Sequence, residues 1–223
     1  MSGVDDIVLE ITPTVLLKAY ACGIFPMAES SDDPGMFWVE PERRGILPLD
    51  EFHVPKSLKK TIRKDRFNVT YDTRFPQVIE ACAAVTSERR STWINQRIIT
   101  LYCDLFEMGY ANSIECWLEG ELVGGLYGVR LGRAFFGESM FSRATDASKV
   151  ALVHLVYQMR KSGFVLLDTQ FTTSHLERFG AREIEREFYQ EMLDEALKEE
   201  AHFHWSSGGA TSDCILQSLS QIS

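Results

Sequence analysis

A single carboxylate inside an apolar run is the feature of this sequence that most clearly offers chemistry. Residues 134–143 read Ala-Phe-Phe-Gly-Glu-Ser-Met-Phe-Ser-Arg, and Glu138 lies at their centre. Burying an unpaired carboxylate costs several kcal/mol unless it takes up a proton, so Glu138 should face a partner, or a ligand that brings positive charge or hydrogen-bond donors. The residues alone leave two interpretations open, a binding-site carboxylate and a structural ion pair with Arg143.

A second cluster, in residues 55–66, could bind phosphate groups. It holds six basic residues and one acid, Asp65, and Pro55 is suited to the first turn of a helix. Five of the basic residues recur at helical spacing and share one face, opposite Leu58 and Ile62: they are Lys56, Lys59, Lys60, Arg63 and Lys64. The net charge of -9 argues against a nucleic-acid partner on average, and a merely solvated face is the alternative. A helix that docks by its apolar side would still present these cations to a phosphate backbone.

The length and composition predict a cytoplasmic protein of one or two domains. The chain has 223 residues, enough to bury a sizeable core without a disulfide or a metal ion. Its cysteines show no Cys-x-x-Cys spacing and are therefore expected to be reduced thiols; they are Cys22, Cys82, Cys103, Cys116 and Cys214. The acidic N-terminus is unlike a signal peptide, and no apolar stretch reaches the roughly 18 residues that a membrane helix needs.

The pattern of predicted elements places Glu138 in an antiparallel sheet. Turn residues separate three successive strands, predicted at residues 113–118, 121–130 and 133–140. A long helix then ends near Lys161 and leads to a short apolar strand at residues 164–169. This order predicts the α+β class with a central, mainly antiparallel sheet, as in acetyltransferases of the GNAT type.

We expect three parts along the chain. A small N-terminal domain (residues 1–52) begins with a helix whose start is marked by Thr12 and Pro13. A catalytic domain (residues 53–200) opens with the basic helix. The C-terminal tail (residues 201–223) is rich in Ser and Gly and is expected to be flexible.

Several other chemistries lack their local signatures. N-acetyltransferases hold coenzyme A on a glycine-containing loop at the start of the long helix, but residues 141–149 contain no glycine and place Asp146 there. The histidines show no zinc-ligand spacing, and neither a Gly-x-Ser-x-Gly motif nor a phosphate-binding Gly-x-x-x-x-Gly-Lys-Ser/Thr loop occurs. We therefore expect neither a cofactor nor a metal ion.

A set of linked segments carries a resemblance to a known family. Between about residues 12 and 195 the chain contains Tyr20-Ala-Cys-Gly-Ile-Phe-Pro26, Phe37-Trp38, Ser91-Thr-Trp-Ile-Asn95, Leu122-Val-Gly-Gly-Leu-Tyr-Gly128, residues 137–143, Ala147-Ser148-Lys149, Leu167-Asp-Thr-Gln170, His175 and Gly180-Ala181. In order and spacing these segments resemble the leucyl/phenylalanyl-tRNA–protein transferases. The resemblance implies a small N-terminal domain before an acetyltransferase-like one. It also implies a bacterial cytosolic enzyme that moves Leu or Phe, and Met less well, from tRNA to an N-terminal Lys or Arg of a protein, marking it for degradation under the N-end rule.

The resemblance also implies which residues react. Asp168 and Gln170 match the reaction centre, and because they are two apart in a strand they should share a face. Glu138 matches a binding-site residue for the amino-acid or amine end. The sequence leaves open whether Asp168 removes the proton, or orients the amine while the 2′-hydroxyl of the tRNA ribose relays it.

The donor site follows from the same matching. The pocket for the transferred side chain matches Leu126, Phe135, Leu155, Met159 and Leu167. Trp38 and Trp93 match aromatics near the terminal adenosine, where stacking is worth about 1–3 kcal/mol, whereas Met27 stands where the family often has Trp. The cations at Lys56, Lys59, Lys60, Arg63 and Lys64 would bind the tRNA.

Two other functions fit parts of the sequence. One is a coenzyme A-dependent N-acyltransferase, which the missing glycine loop disfavours. The other is a non-catalytic module of the same fold that binds tRNA or a peptide. Affinity for acetyl-coenzyme A would support the first, and binding of charged tRNA without transfer would support the second.

Overall fold

The computed structural model describes residues 11–86, 91–205 and 211–220. Its elements, in chain order, are α1 (Pro13–Ala21), β1 (Phe25–Met27), β2 (Phe37–Val39), β3 (Arg43–Ile46), α2 (Lys56–Arg63), β4 (Asn68–Tyr71), α3 (Phe75–Ala83), α4 (Gln96–Glu107), β5 (Ala111–Leu118), β6 (Glu121–Leu131), β7 (Ala134–Ser142), α5 (Ala147–Lys161), β8 (Leu166–Gln170), α6 (Ser174–Glu177), β9 (Arg182–Glu185), α7 (Arg186–Ala196) and α8 (Ser212–Ser220). Within these ranges no helix is both long and apolar enough to cross a membrane.

Seven strands form one sheet, in the order β4-β5-β6-β7-β8-β3-β9, while β1 and β2 pair separately. Neighbouring strands of the large sheet run antiparallel except for β7 and β8. Glu119 and Gly120, between β5 and β6, both have positive φ, which suits a two-residue hairpin loop. The predicted α+β class with a central, mainly antiparallel sheet is confirmed.

Helices cover both faces of this sheet. Helices α2, α5 and α8 pack on one face, which we call the α5 face, and α1, α3, α4 and α7 pack on the other, which we call the α4 face. Side chains alternate between the two cores along β6, where Leu126 belongs to the α5 face and Tyr127 to the α4 face. The strands between the helices therefore carry side chains to both sides.

Strand β3, from the predicted N-terminal domain, lies inside the sheet between β8 and β9. Gly45 is opposite Gln170, and Ile46 is opposite Asp168. A Cβ atom on Gly45 would lie 2.6 Å from the carbonyl carbon of Phe171, so this close approach requires glycine. The N-terminal residues thus build the strand beside Asp168, while the domain boundary at residue 52 stays a prediction.

The described residues of the tail, for which the sequence predicts flexibility, pack against the α5 face. The Trp205 ring stacks on Tyr71, with centroids 4.5 Å apart, and on Phe203, at 4.4 Å. Its indole N–H donates to the carboxylate of Asp72. Helix α8 then buries Ile215, Leu216 and Leu219. Burial of these apolar groups supplies the free energy that orders the segment.

Candidate active site

A fork between the two parallel strands holds the largest concentration of candidate residues. Strands β7 and β8 pair at only three positions, the last being Phe136 opposite Asp168, and then separate. A cavity of about 620 Å³ occupies the fork and is lined from both faces of the sheet. Of the five predicted pocket residues, Leu126, Leu155 and Leu167 line it. Phe135 and Met159 are fully buried in the adjoining core.

Glu138 reaches this cavity because β7 has a bulge there. Gly137 pairs with Gly128 and Ser139 pairs with Tyr127, so Glu138 is the extra residue between two paired positions. A bulge breaks the alternation of side chains and turns one of them to a new direction, as is common beside active sites. Glu138 consequently lines the cavity instead of packing into the sheet.

Three side chains hold the Glu138 carboxylate. The Tyr20 hydroxyl donates to Oε1 at 2.6 Å, the Tyr102 hydroxyl donates to Oε2 at 3.1 Å, and Gln170 Nε2 donates to Oε1 at 3.3 Å. Burial raises the pKa of Glu138 to about 7, although the two tyrosine hydrogen bonds oppose the shift. Near neutral pH this carboxyl group can therefore exchange a proton with a substrate.

The alternative of a structural ion pair between Glu138 and Arg143 is wrong. Arg143 Nη1 instead donates to the carbonyl oxygen of Leu122 at 3.3 Å, and its guanidinium lies 5.4 Å from the centre of the Phe141 ring. The donors to Glu138 come from neutral side chains on α1, α4 and β8. Among the described residues, no cationic side chain forms an ion pair with the Glu138 carboxylate.

Asp168 has the opposite environment. It is fully buried, and Arg44 donates to both of its oxygens, from Nε to Oδ1 at 3.0 Å and from Nη2 to Oδ2 at 2.7 Å. The Tyr189 hydroxyl donates to Oδ2 at 2.6 Å, and the backbone N–H of Gln170 donates to Oδ1 at 2.7 Å. Both oxygens are occupied, and Asp168 does not line the cavity. Of the two predicted reaction-centre residues, Gln170 lines the cavity and Asp168 contacts it from behind through the Gln170 backbone.

Arg44 is the counter-ion that makes this burial possible. Its side chain is 2% exposed, lies between the rings of Phe25 and Tyr189, and donates from Nη1 to the carbonyl oxygen of Gly23 at 2.8 Å. Burial alone would lower its pKa, but the charge and hydrogen bonds of Asp168 outweigh burial and raise it. Two opposite charges with satisfied hydrogen bonds form a stable buried pair.

Gln170 is in the left-handed region, with φ of 56°. The N–H of Phe171 donates to the carbonyl oxygen of Thr169 at 2.6 Å, so the backbone makes a three-residue turn around Gln170. This conformation costs a residue with a Cβ about 1–2 kcal/mol. The Asp168 carboxylate stabilises it by accepting the Gln170 N–H. The turn directs the Gln170 amide into the cavity, next to Glu138.

The two predicted adenosine-binding tryptophans lie in different places. Trp93 lines the cavity on the α4 face. Trp38, on β2, is 40% exposed and does not line it. Met27, from the neighbouring strand β1, does line the cavity. The structure therefore brings one of the two predicted aromatics to the cavity wall.

The basic helix forms as predicted and packs on the α5 face. Leu58 and Ile62 are buried under it, and its cations lie toward solvent. Thr61 Oγ1 donates to Asp146 Oδ2 at 2.9 Å, which ties α2 to the start of α5. None of the five cations, Lys56, Lys59, Lys60, Arg63 and Lys64, lines the cavity. Their role in tRNA binding stays a prediction.

The start of α5 is poorly suited to a coenzyme A pyrophosphate. Asp146 lies there with φ of 71°, and Lys149 Nζ donates to its Oδ1 at 2.7 Å. Although burial opposes it, the Lys149 and Thr61 hydrogen bonds hold the pKa of Asp146 low, so the carboxylate is charged. A negative charge at the helix start repels a phosphate anion and opposes the attraction of the helix dipole.

Sequence reasoning missed the groups that position the two carboxylates. These are Arg44 and Tyr189 around Asp168, and Tyr20 and Tyr102 around Glu138. Tyr20 belongs to a segment that carries the family resemblance, which was a usable signal. The other three show no local pattern that separates them from ordinary core or surface residues.

Comparisons with known proteins identify the family of the chain. A family model described as leucyl/phenylalanyl-tRNA protein transferase matches residues 46–194, and a model of the N-terminal domain of the same family matches residues 10–42. The chain belongs to this family. It is therefore an aminoacyltransferase, as the resemblance implied.

This chain belongs to the leucyl/phenylalanyl-tRNA–protein transferases, and two curated relatives align with most of its length. The transferase from Rhodopseudomonas palustris (strain BisB18) is 61% identical over 203 residues, which are 91% of this chain and 88% of the relative. The transferase from Paramagnetospirillum magneticum (strain ATCC 700264 / AMB-1) is 60% identical over 193 residues, 86% of this chain and 92% of the relative.

Solved structures that align with the chain are more distant. L-PGS from Bacillus licheniformis is 14% identical, with a TM-score of 0.36 over 71% of this chain and 53% of that one. A GCN5-related N-acetyltransferase-like protein from Streptococcus suis 89/1591 is 12% identical, with a TM-score of 0.31 over 72% of this chain and 58% of that one. These low scores carry no argument about the site.

Proposed function

We propose that this transferase moves Leu or Phe, and Met less well, from aminoacyl-tRNA to the N-terminal Lys or Arg of acceptor proteins, and so marks them for degradation. One observation carries the proposal. In the fork between β7 and β8, an apolar slot adjoins a buried carboxylate whose pKa is about 7 and an amide held in a strained turn. The family match fixes the reaction class, and this geometry fits these substrates.

The apolar slot suits the transferred side chain. Leu126, Leu155 and Leu167 line the α5 side of the cavity, together with Leu152 and Met140. Burying an aliphatic or aromatic side chain among them gains about 25 cal/mol per Å² of apolar surface. A charged side chain would lose its hydration there without a partner. The slot therefore favours Leu, Phe and Met over charged amino acids.

The polar end of the cavity suits the attacking amine. An ionised Glu138 accepts hydrogen bonds from an amine, and the Gln170 side chain, already bonded to Glu138, offers its carbonyl oxygen as a second acceptor. Both groups lie where the separated strands leave room for a substrate. A carboxylate with a pKa near 7 can hold the proton that the amine releases.

The reaction itself needs little more than placement. The amine nitrogen bonds to the ester carbonyl carbon, the bond from that carbon to the ribose oxygen breaks, and one proton passes from the amine to the departing oxygen. Because the ester is already activated, no covalent enzyme intermediate is required. Placement alone contributes about 7–11 kcal/mol. Asp168, whose oxygens are occupied, acts on this reaction by orienting Gln170.

Single-turnover transfer tests the proposal. tRNAs charged with Leu, Phe or Met are mixed with excess enzyme and with peptides that begin with Lys, Arg, Asp or Glu. We expect fast transfer of Leu and Phe, and slower transfer of Met, to Lys and Arg peptides only. Acetyl-coenzyme A, in the same assay, should neither donate an acetyl group nor compete. Binding of charged tRNA without peptide-bond formation would support the non-catalytic module instead.

A further inference from the structure

Two depressions connect the active-site cavity to the outer edge of the sheet. The first, of about 380 Å³, lies along α3 and shares Ala81 and Arg143 with the cavity. The second, of about 400 Å³, lies beside the edge strand β4 and shares Trp117 and Gly120 with the first. Together they make one continuous path on the α4 side, which we call the furrow. The proposed reaction uses none of its residues.

Three exposed arginines stand along the furrow, Arg143 at the cavity end and Arg66 and Arg74 at the sheet edge. Arg74 Nη1 donates to the carbonyl oxygen of Thr73 at 2.9 Å, and the Arg66 guanidinium lies 5.3 Å from the centre of the Phe67 ring.

Carboxylates also line the furrow, at Glu80, Glu119 and Glu121. In the described part of the chain, however, none of the three arginines of the furrow forms an ion pair. Their charges are therefore available to an anionic ligand.

Trp117 forms the ridge between the two depressions. It is half-buried and follows a register shift in β5. Its indole N–H donates to Thr70 Oγ1 at 2.8 Å, which fixes the orientation of the ring. A fixed aromatic ring between unpaired arginines is the combination that single-stranded nucleic acid requires, because bases stack on the ring and phosphates bind the cations.

We propose that the furrow binds the single-stranded 3′ end of the donor tRNA, between the terminal nucleotide in the cavity and the acceptor stem. This inference rests on the proposed function, in which the donor is an aminoacyl-tRNA. Trp117 stacks on a base, and Arg66 and Arg74 bind phosphates. The furrow reaches the cavity on the side of Trp93, the aromatic that the family resemblance matches to the terminal adenosine.

The acceptor protein fits the furrow less well than RNA does. An acceptor that begins with Lys or Arg would meet the unpaired Arg143 at the mouth of the cavity, where like charges repel. At the far end, Arg66 follows the basic helix α2 by three residues. The furrow therefore ends at the sheet edge close in sequence to the cations of α2, which packs on the α5 face and which we predict to bind the phosphates of the acceptor stem.

Donors of increasing length test the inference. Single-turnover rate constants at subsaturating enzyme are measured with phenylalanyl-adenosine, with a phenylalanyl oligoribonucleotide ending in CCA, and with full phenylalanyl-tRNA. We expect Trp117→Leu to lower transfer from the two longer donors about 5- to 100-fold, and to leave phenylalanyl-adenosine unaffected, because only the longer donors reach the ring. Trp117→Phe should restore most of the loss, since it keeps an aromatic face.

The role of Arg66 and Arg74 is tested by a separate measurement, the salt dependence of the affinity for the oligonucleotide. Arg66→Ala and Arg74→Ala should each make the dependence of log affinity on log salt concentration shallower by about 0.7 for the CCA oligonucleotide, as expected for one lost phosphate contact on a single strand. The matched control is Arg182→Ala, on the opposite edge strand β9, where a surface pair with Glu51 is lost. It should change neither the slope nor the rates.

The outcomes separate this inference from the proposed function. Equal loss with all three donors, or an unchanged salt slope, would show that the furrow residues only support the fold, and would overturn the inference alone. A changed concentration dependence on the acceptor peptide, with no dependence on donor length, would assign the furrow to the acceptor and overturn it too. Failure of the wild-type enzyme to transfer from any charged tRNA would overturn the proposed function and the inference with it.

Discussion

Two buried carboxylates on neighbouring strands show how differently one fold can treat the same chemical group. Asp168 on β8 is paired with a guanidinium, and its oxygens are filled by Arg44, Tyr189 and the backbone of its own strand. Glu138 on β7 receives hydrogen bonds from neutral groups, and burial raises its pKa to about 7.

The difference lies in the charge that compensates each carboxylate. A carboxylate that already has a full counter-charge and no free lone pair stabilises a geometry, whereas one that lacks a counter-charge can still gain from a proton or a cationic substrate. Asp168 and Arg44 also act on Glu138 over a longer range, with opposite effects on its pKa. The fork therefore joins a fixed charge pair to a group that can titrate.

The largest effect is expected from a substitution that removes the counter-charge of Asp168. Arg44→Met should lower the free energy of unfolding by about 3–5 kcal/mol at pH 7, because it leaves a buried carboxylate without its partner. Urea unfolding measures this. The matched control is Arg43→Met on the same strand, whose side chain is 55% exposed and whose surface ion pairs are worth about 1 kcal/mol or less. Equal losses for the two variants would refute the buried pair.

The next effect concerns Glu138. Glu138→Gln should lower the single-turnover rate about 10²-fold or more, because Gln cannot take up the amine proton. In the wild type the carboxyl becomes protonated as the pH falls through about 7, so activity should fall with it. The Gln variant should lack this inflection. The acceptor amine titrates identically with both enzymes, so the difference between the two profiles reports Glu138 alone.

A Tyr102→Phe variant tests whether Glu138 is the group that causes the inflection of the pH–rate profile. The hydrogen bond from Tyr102 stabilises the ionised form of Glu138 and so lowers its pKa. Its removal should move the inflection of the pH–rate profile to higher pH, with the rate at high pH largely kept. A profile that stays in place would mean that another group is responsible for the inflection.

The adjacent residues Arg43 and Arg44 show why only part of the site could be predicted from the sequence. The two arginines are adjacent, and β3 turns one to solvent and the other into the core. Only the pairing of β3 with β8 and β9 decides which is buried, and no periodicity within the strand records it. The basic helix and the strand meander were predictable because helical spacing and turn residues are local signals.

The missed elements have the same kind of cause. Strand β9 reads Arg-Glu-Ile-Glu, a charged segment without the apolar alternation that predicts a strand, and it forms because β3 offers an edge to pair with. Helix α8 is nine residues long and follows a Ser/Gly-rich stretch, so its three buried side chains give only a weak signal. In both cases a contact distant in sequence outweighs local preference.

A smaller effect is expected for Asp168 itself. Asp168→Asn retains an oxygen that can accept from Gln170 or Arg44, so among folded molecules the transfer rate should fall only about tenfold, equivalent to ~1.4 kcal/mol and to the weakening of one hydrogen bond. The pH–rate profile should keep its inflection but move it to lower pH, because the charge of Asp168 raises the pKa of Glu138 and that of Arg44 lowers it. A fall of 10²-fold or more at every pH, with substrate binding unchanged, would instead make Asp168 the base.

The smallest effect is expected at the strained turn around Gln170, which links the two carboxylates. The quantity compared is the stability of two variants at this position. Glycine adopts a φ of 56° freely, whereas alanine carries the same backbone strain as glutamine. Gln170→Gly should therefore be more stable than Gln170→Ala by about 1 kcal/mol in urea unfolding. Both variants lose the amide that contacts Glu138, so both should lose transfer activity to a similar extent. If alanine proved as stable as glycine, the turn would not be strained, and the hydrogen bond from the Gln170 N–H to Asp168 would not be what holds it. If the glycine variant alone kept activity, the backbone of the turn rather than the Gln170 side chain would position the substrate.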